Sequence, residues 1–240
     1  MNNNLKTGGQ LLVECLQAQG VTRAFGVPGE SYLAVLDALH DVPEIELIGN
    51  RNEGGAAYMA AAHGQLTGQP GICFVTRGPG ATNASIGVHT AMQGSTPMIL
   101  FVGQVGTDMK GREAFQEIDY KAYFGTVAKW VAEIDDVDRI PEIMARAFAT
   151  ALSGRPGPVV IALPEDVLTD FTSADAGAKV VVPEASVGAS TVARINEILV
   201  DAKNPLVIVG GGGWNDAGRA AFKQFVEANH LPVAAAFRFQ

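Results

Sequence analysis

The sequence predicts an α/β protein: a doubly wound parallel sheet, then a linker, then the beginning of a second α/β unit. Three observations predict it. Short apolar strands alternate with helix-periodic segments from about residue 23 to residue 163. That alternation is the pattern of parallel strands joined by helices that cover both faces of a sheet. Periodicity then lapses between residues 169 and 190, in a stretch rich in Ala, Gly, Ser, Thr and Asp, before a new strand, glycine and helix pattern begins.

The elements follow in order. Apolar residues at Leu11, Leu12, Cys15, Leu16 and Ala18 form a helical stripe over 8–19, which Gly20 ends. Residues 23–27 read as a strand, 31–40 as a helix capped by Ser31, and 45–48 as a strand. Further units are a helix over 53–66, a strand over 72–76, a helix over 81–93 and a strand over 98–102. A polar and aromatic loop runs from 103 to about 120, a length that usually signals function or disorder. A helix over 140–152 and a buried-type strand over 159–163 complete the domain, taken as 1–170, with a linker over 171–190. In the remainder, 191–240, a helix over 191–201, a strand over 206–209, a helix over 216–229 and a strand over 232–236 are too few to cover a sheet of their own. That second domain is therefore expected to be incomplete.

Composition excludes several functions. The chain has 240 residues, 48% of them hydrophobic, enough for a substantial core. Its net charge is −8 and its basic residues are scattered, which disfavours nucleic acid as a partner. The amino-terminal MNNNLKTGGQ lacks a signal-peptide pattern, and apolar runs such as MILFVG at 98–103 are too short to span a bilayer, so no membrane association and a cytoplasmic location are expected. Cys15 and Cys73 form no CxxC pair, and the four histidines form no HExxH pattern, so no metal site is indicated.

In a parallel sheet the loops after the strands open on one edge, where ligands bind. Here those loops read VPGE (27–30), GNRNE (49–53), TRGPGATN (76–83) and GQVG (103–106), which gathers Glu30, Glu53, Thr76, Asn83 and Gln104 on one rim. Each loop also has a simpler structural reading. Glu30 at a helix entrance gains about 0.3–1 kcal/mol from the macrodipole. GPGATN is a turn into a helix whose free amides suit any polar group. Glu53 is harder to explain in this way. It precedes Gly54 and Gly55, each about 1 kcal/mol worse than Ala for a helix, which suggests close approach of another group to the backbone. The run Gly210 to Gly213 fails the dinucleotide GxGxxG pattern at Asn215 and Asp216, and Arg238 stands in the region of the expected acidic residue, so NAD is disfavoured. No GxSxG supports a serine hydrolase.

The ordered set FGVPGE, RNEGGAAYMA, TRGPGATN, PMILFVGQ, AFQEID and GRPGPVVIALPEDV resembles the thiamine-diphosphate-dependent enzymes of the acetolactate synthase group, over about residues 5–236. The resemblance implies a pyrimidine-binding domain followed by a truncated, Rossmann-like central domain. It places the family's glutamate on Glu53. In that role a carboxyl group hydrogen-bonded to a ring nitrogen of the aminopyrimidine promotes the imino form that activates the thiazolium carbon. By the same resemblance Gly54, Gly55, Ala56 and Ala57 leave room for the flat ring. Val27, Pro28, Gly29, Thr76, Pro79 and Asn83 lie around it, and Glu30, Phe115, Gln116 and Lys129 lie on the substrate side. The implied reaction is decarboxylation or carboligation of a 2-oxo acid such as pyruvate. The implied cofactors are thiamine diphosphate and Mg2+, with the metal held by a GDG...N pattern absent from these residues, and FAD left open. The implied assembly is a homodimer or homotetramer through the pyrimidine-binding domain, in which Glu53 of one subunit acts on cofactor held mainly by the other. This portion alone is expected to be inactive.

Two departures stand out. Those synthases usually have Gly where this chain has Glu30 and a small Ser where it has Arg77; in addition, Trp130 follows Lys129 where a His is common. Two other readings stay open from sequence: a non-catalytic doubly wound small-ligand-binding protein, and a partner subunit that only completes a dimer.

Overall fold

A six-stranded sheet, parallel throughout, frames the first of two compact units that divide between Val182 and Pro183 in the computed structural model, which describes residues 5–183 and 185–239. In chain order the first unit contains β1 (Lys6–Thr7), α1 (Gly8–Ala18), β2 (Arg23–Gly26), α2 (Leu33–His40), β3 (Glu46–Gly49), α3 (Glu53–Thr67), β4 (Gly71–Val75) and α4 (Gly78–Gly94). There follow β5 (Met98–Gln104), α5 (Tyr120–Phe124), β6 (Trp130–Glu133), α6 (Ile140–Leu152), β7 (Pro158–Pro164), α7 (Glu165–Thr169) and β8 (Phe171–Thr172). The strand order is β3-β2-β4-β5-β7-β6. The predicted doubly wound parallel sheet is therefore the observed one.

Two apolar layers sandwich the sheet. On one face Leu11, Leu12 and Leu16 of α1 pack with Ile143, Met144 and Phe148 of α6 and with Phe74 and Phe101 of the strands. Rings of Tyr32, Phe74 and Phe101 form a row, with centroids 5.8 and 4.8 Å apart. The other face is built from small residues: Ala56, Ala57, Ala60 and Ala61 of α3, and Ala81, Ala84, Val88 and Ala91 of α4. Small side chains let α3 and α4 approach to backbone distance. A Cβ added at Gly87 would fall 2.4 Å from the Ala57 Cβ, closer than carbon atoms can pack.

Several boundaries differ from the sequence reading for physical reasons. α4 begins at Gly78 rather than at 81, because Pro79 in the first turn needs no backbone donor. Ser31 does not cap a helix. It lies in a 3-10 turn over Glu30–Tyr32, and its buried Oγ sits 2.9 Å from Thr76 Oγ1. The short strand β6, which periodicity does not reveal in four residues, pairs with β7 and carries Trp130, over whose ring Arg146 lies 4.3 Å from the centroid. Residues 171–180, assigned to the linker from sequence, are fastened to the first unit. Thr172 pairs with Lys6, Gln19 Nε2 donates to Ala178 O at 3.1 Å, and Val180 N donates to Gln19 Oε1 at 2.9 Å. Cys15 Sγ donates to Ala176 O at 3.5 Å, and burial pushes its thiol up to about 12.

The second unit, taken by itself, holds α8 (Ala189–Asp201), β9 (Val207–Val209), α9 (Asp216–Ala228) and β10 (Val233–Ala235), with β9 and β10 parallel. No described residue of either helix is fully buried.

The loop after β5 is tied by its own residues. Glu117 accepts from Gly111 N at 2.7 Å and from Ala114 N at 3.1 Å. Those backbone donors hold its carboxyl below the usual glutamate range. A depressed value means that the anchor is intact above that range and is lost as pH falls through the lowered value. Amide NMR signals of Gly111 and Ala114 are therefore expected to titrate together below the ordinary glutamate range, and Glu117→Gln is expected to abolish the step; a transition above that range contradicts the anchor. In α3 and α4, Gly87→Ala is expected to lower unfolding stability by about 1–3 kcal/mol in urea titrations through overpacking, although Ala favours helices by about 1 kcal/mol; an unchanged midpoint contradicts the close contact.

Candidate active site

Strand order makes a switch point between β2 and β4. The chain leaves β2 into α2 on one face and leaves β4 into α4 on the other, which sets the topological switch point at the carboxyl edge of the sheet, the usual ligand position in such folds. The loops 27–32 and 76–78 flank it. Ser31 Oγ and Thr76 Oγ1 link them at 2.9 Å, and a Cβ at Gly103 would fall 1.9 Å from Ser31 Oγ, so the end of β5 closes against the same point. Tyr32 Oη donates to Val27 O at 2.6 Å and fixes the start of the first loop.

Glu53 opens α3. Asn52 is its N-cap, and Asn52 Oδ1 accepts from Gly54 N at 2.9 Å. Asn83, one turn into α4, donates from Nδ2 to Glu53 Oε2 at 2.9 Å. Two residues from separate motifs, 30 positions apart, thus meet across the α3–α4 contact. The carboxylate is half-buried, less enclosed than the small-residue segment after it suggests. A Cβ at Gly54 would press on Asn52 Oδ1 at 2.9 Å and Asn83 O at 3.2 Å, while Ala56 and Ala57 are fully buried among core residues. Gly54, Ala56 and Ala57 make room for α4. Gly55 alone has open space where a Cβ would stand.

Beside this pair lies a second polar group. Arg77, the residue before α4, is only 7% exposed. Its Nη2 is 2.5 Å from Glu165 Oε1, and its Nη1 is 3.4 Å from Glu30 Oε1. Its buried Nε has no hydrogen-bond partner among the described residues. Glu165 and Asp166, the first residues of α7, extend the rim to the end of β7, which the four-loop sequence reading missed. The signal was present, since LPED follows a buried strand parallel to the others. Asp166 accepts from Thr107 N at 3.0 and 3.1 Å and so ties the loop after β5 to β7.

The other expected residues divide. Pro79 and Asn83 are exposed on the first turns of α4, and Pro28 and Glu30 on the loop after β2, with Val27, Gly29 and Thr76 partly covered between them. Gln116, at φ 65°, accepts from Gly78 N at 3.0 Å, so it lies against the start of α4, and Phe115 beside it is 73% exposed. Gln104 is on the edge, but its amide is used to hold the loop: Nε2 donates to Ile118 O at 3.2 Å and Oε1 accepts from Val105 N at 3.0 Å. Lys129 is not with them. Its backbone precedes β6, its amide pairs with Pro158 O at the start of β7, and its Nζ donates to the carbonyls of Thr150 and Ser153 at the end of α6. In parallel strands that is the opposite edge, and the lysine serves there as a helix C-terminal cation.

Among the described residues no helix is long and apolar enough to cross a membrane, and no group of three or more His, Cys, Asp or Glu is placed to hold a metal ion.

Residues 6–123 match the family model described as thiamine pyrophosphate enzyme, N-terminal TPP binding domain. The chain is 37% identical over 233 residues to acetolactate synthase isozyme 3 large subunit of Escherichia coli, covering 95% of this chain and 41% of the relative. It is 36% identical to acetolactate synthase of Bacillus subtilis (96% of this chain, 40% of the relative) and 34% identical to the mitochondrial acetolactate synthase catalytic subunit of Saccharomyces cerevisiae (95% and 35%). It therefore spans about two fifths of the length of these curated relatives. Residues 6–123 are therefore similar to the N-terminal TPP binding domain of thiamine pyrophosphate enzymes, and nearly the whole chain is similar to part of the acetolactate synthases.

Proposed function

We propose that this chain forms the aminopyrimidine-binding part of a thiamine-diphosphate-dependent decarboxylase or carboligase acting on a 2-oxo acid such as pyruvate, with Glu53 as the carboxyl group that shares a proton with the cofactor. The observation that carries the reading is the 2.9 Å bond from Asn83 Nδ2 to Glu53 Oε2. It engages one carboxylate oxygen, orients the group at the rim, and leaves Oε1 for a ring nitrogen.

The residues present fit a planar heterocycle. Glu53 is half-buried rather than sealed, Gly55 beside it offers open space, and Val27, Pro28, Gly29, Thr76 and Pro79 carry no charged side chain. When bound, thiamine diphosphate supplies a carbon nucleophile and an electron sink for bonds next to a carbonyl. Glu53 holds a proton at Oε1 and returns it, a role worth about 10²–10⁴-fold in rate. Asn83 keeps the carboxylate from rotating away. Glu30, Phe115 and Gln116 face the substrate side. The same reading assigns Mg2+ to ligands outside this chain, a homodimer or tetramer to the assembly, the cytoplasm to its location, and leaves FAD to the central domain.

In the intact protein with thiamine diphosphate and Mg2+, Glu53→Gln is expected to lower turnover of pyruvate or another 2-oxo acid by at least about 10²-fold with an unchanged melting temperature. Turnover equal to that of the wild type contradicts the assignment.

A further inference from the structure

Glu30 and Arg77 meet in space. They lie 47 positions apart, on the loops after β2 and β4, and approach to 3.4 Å, beside the Ser31–Thr76 link between their immediate neighbours.

The members of the cluster differ in freedom. Arg77 is fixed: it is 7% exposed and held at 2.5 Å by Glu165. Glu30 is freer: its side chain is 72% exposed, and its contact with Nη1, near the long limit for a hydrogen bond, directs it without fixing it. A guanidinium stays protonated. One guanidinium between two carboxylates therefore leaves an excess of negative charge, and the positive member is the buried one. A molecule entering from this side meets carboxylate oxygens with spare acceptor capacity ahead of the largely buried guanidinium.

Resting on the thiamine-diphosphate reading above, we propose that Glu30, aligned by Arg77, is a specificity-determining residue that selects a 2-oxo acid or aldehyde carrying a hydrogen-bond-donating group, most simply a hydroxyl, on its side chain. Glu30 accepts the donor. Arg77 is a positioning residue that limits the directions in which Glu30 can point, and Glu165 holds Arg77.

The test compares 3-hydroxypyruvate with pyruvate, which differ by one hydroxyl, in the intact protein loaded with thiamine diphosphate and Mg2+. The ratio of their kcat/KM values is expected to favour hydroxypyruvate in the wild type and to fall by about tenfold to a hundredfold in Glu30→Ala, the range for a hydrogen bond to a charged group. Glu30→Gln, which keeps an acceptor oxygen without the charge, is expected to give an intermediate ratio. Arg77→Lys is expected to lower the ratio in the wild-type background and to change it no further in Glu30→Ala. An unchanged ratio in Glu30→Ala, or an Arg77→Lys effect that persists in full without Glu30, overturns the inference. Calorimetric titration with thiamine diphosphate separates the two levels. Failure of the wild type to bind the cofactor overturns the reading above and this inference with it, whereas binding and turnover with an unchanged ratio overturns the inference alone.

Discussion

The close contact of α3 and α4 is the constraint on which the site depends. Gly87 against Ala57 brings the two helices to backbone distance, and Gly54 against the carbonyl of Asn83 does the same one turn from the rim. Only at that separation can an asparagine side chain on one helix reach a carboxylate on the other at 2.9 Å. A larger residue at either glycine would open the pair and separate Asn83 from Glu53. The small residues that follow Glu53 are therefore part of its geometry. They set the distance at which its partner stands.

The sheet supplies the second condition. Parallel strands collect their carboxyl ends on one edge, and the reversal of winding between β2 and β4 sets the switch point there. The edge is then locked by polar contacts between strand ends: Ser31 with Thr76, Arg77 with Glu165 across β5, and Asp166 with the backbone of Thr107. Each joins loops that are far apart in sequence. The outcome is a rim in which the loops are held by the protein itself, while Glu53, Glu30 and Phe115 keep exposed surface toward any ligand.

Much of this was legible in the sequence, for identifiable reasons. Strands such as ILFV and VVIA are continuous apolar runs, and the polar segments after them mark the rim, so Glu53, Asn83 and Thr76 were placed correctly on one edge from periodicity and the rule for parallel sheets. Pairing was not legible. Nothing in local sequence says that Arg77 reaches Glu165, 88 positions away, or that Ser31 bonds across strands instead of capping a helix. Lys129 was misplaced because its motif context suggested a role while its strand, β6, was too short for periodicity to show; once β6 is known, the lysine falls at the amino edge. The meaning of Gly54 also required the structure, since a glycine that admits a ligand and one that admits a helix look the same in sequence.

The central claim is that Glu53, oriented by Asn83, is the group that meets the cofactor's pyrimidine ring. A crystal structure of the intact protein with thiamine diphosphate and Mg2+ tests it most directly. The account predicts a ring nitrogen within hydrogen-bonding distance of Glu53 Oε1, about 2.6–3.2 Å, with Asn83 still on Oε2. A bound cofactor whose pyrimidine lies away from Glu53, or a Glu53 carboxylate released from Asn83 and turned to solvent, would contradict it.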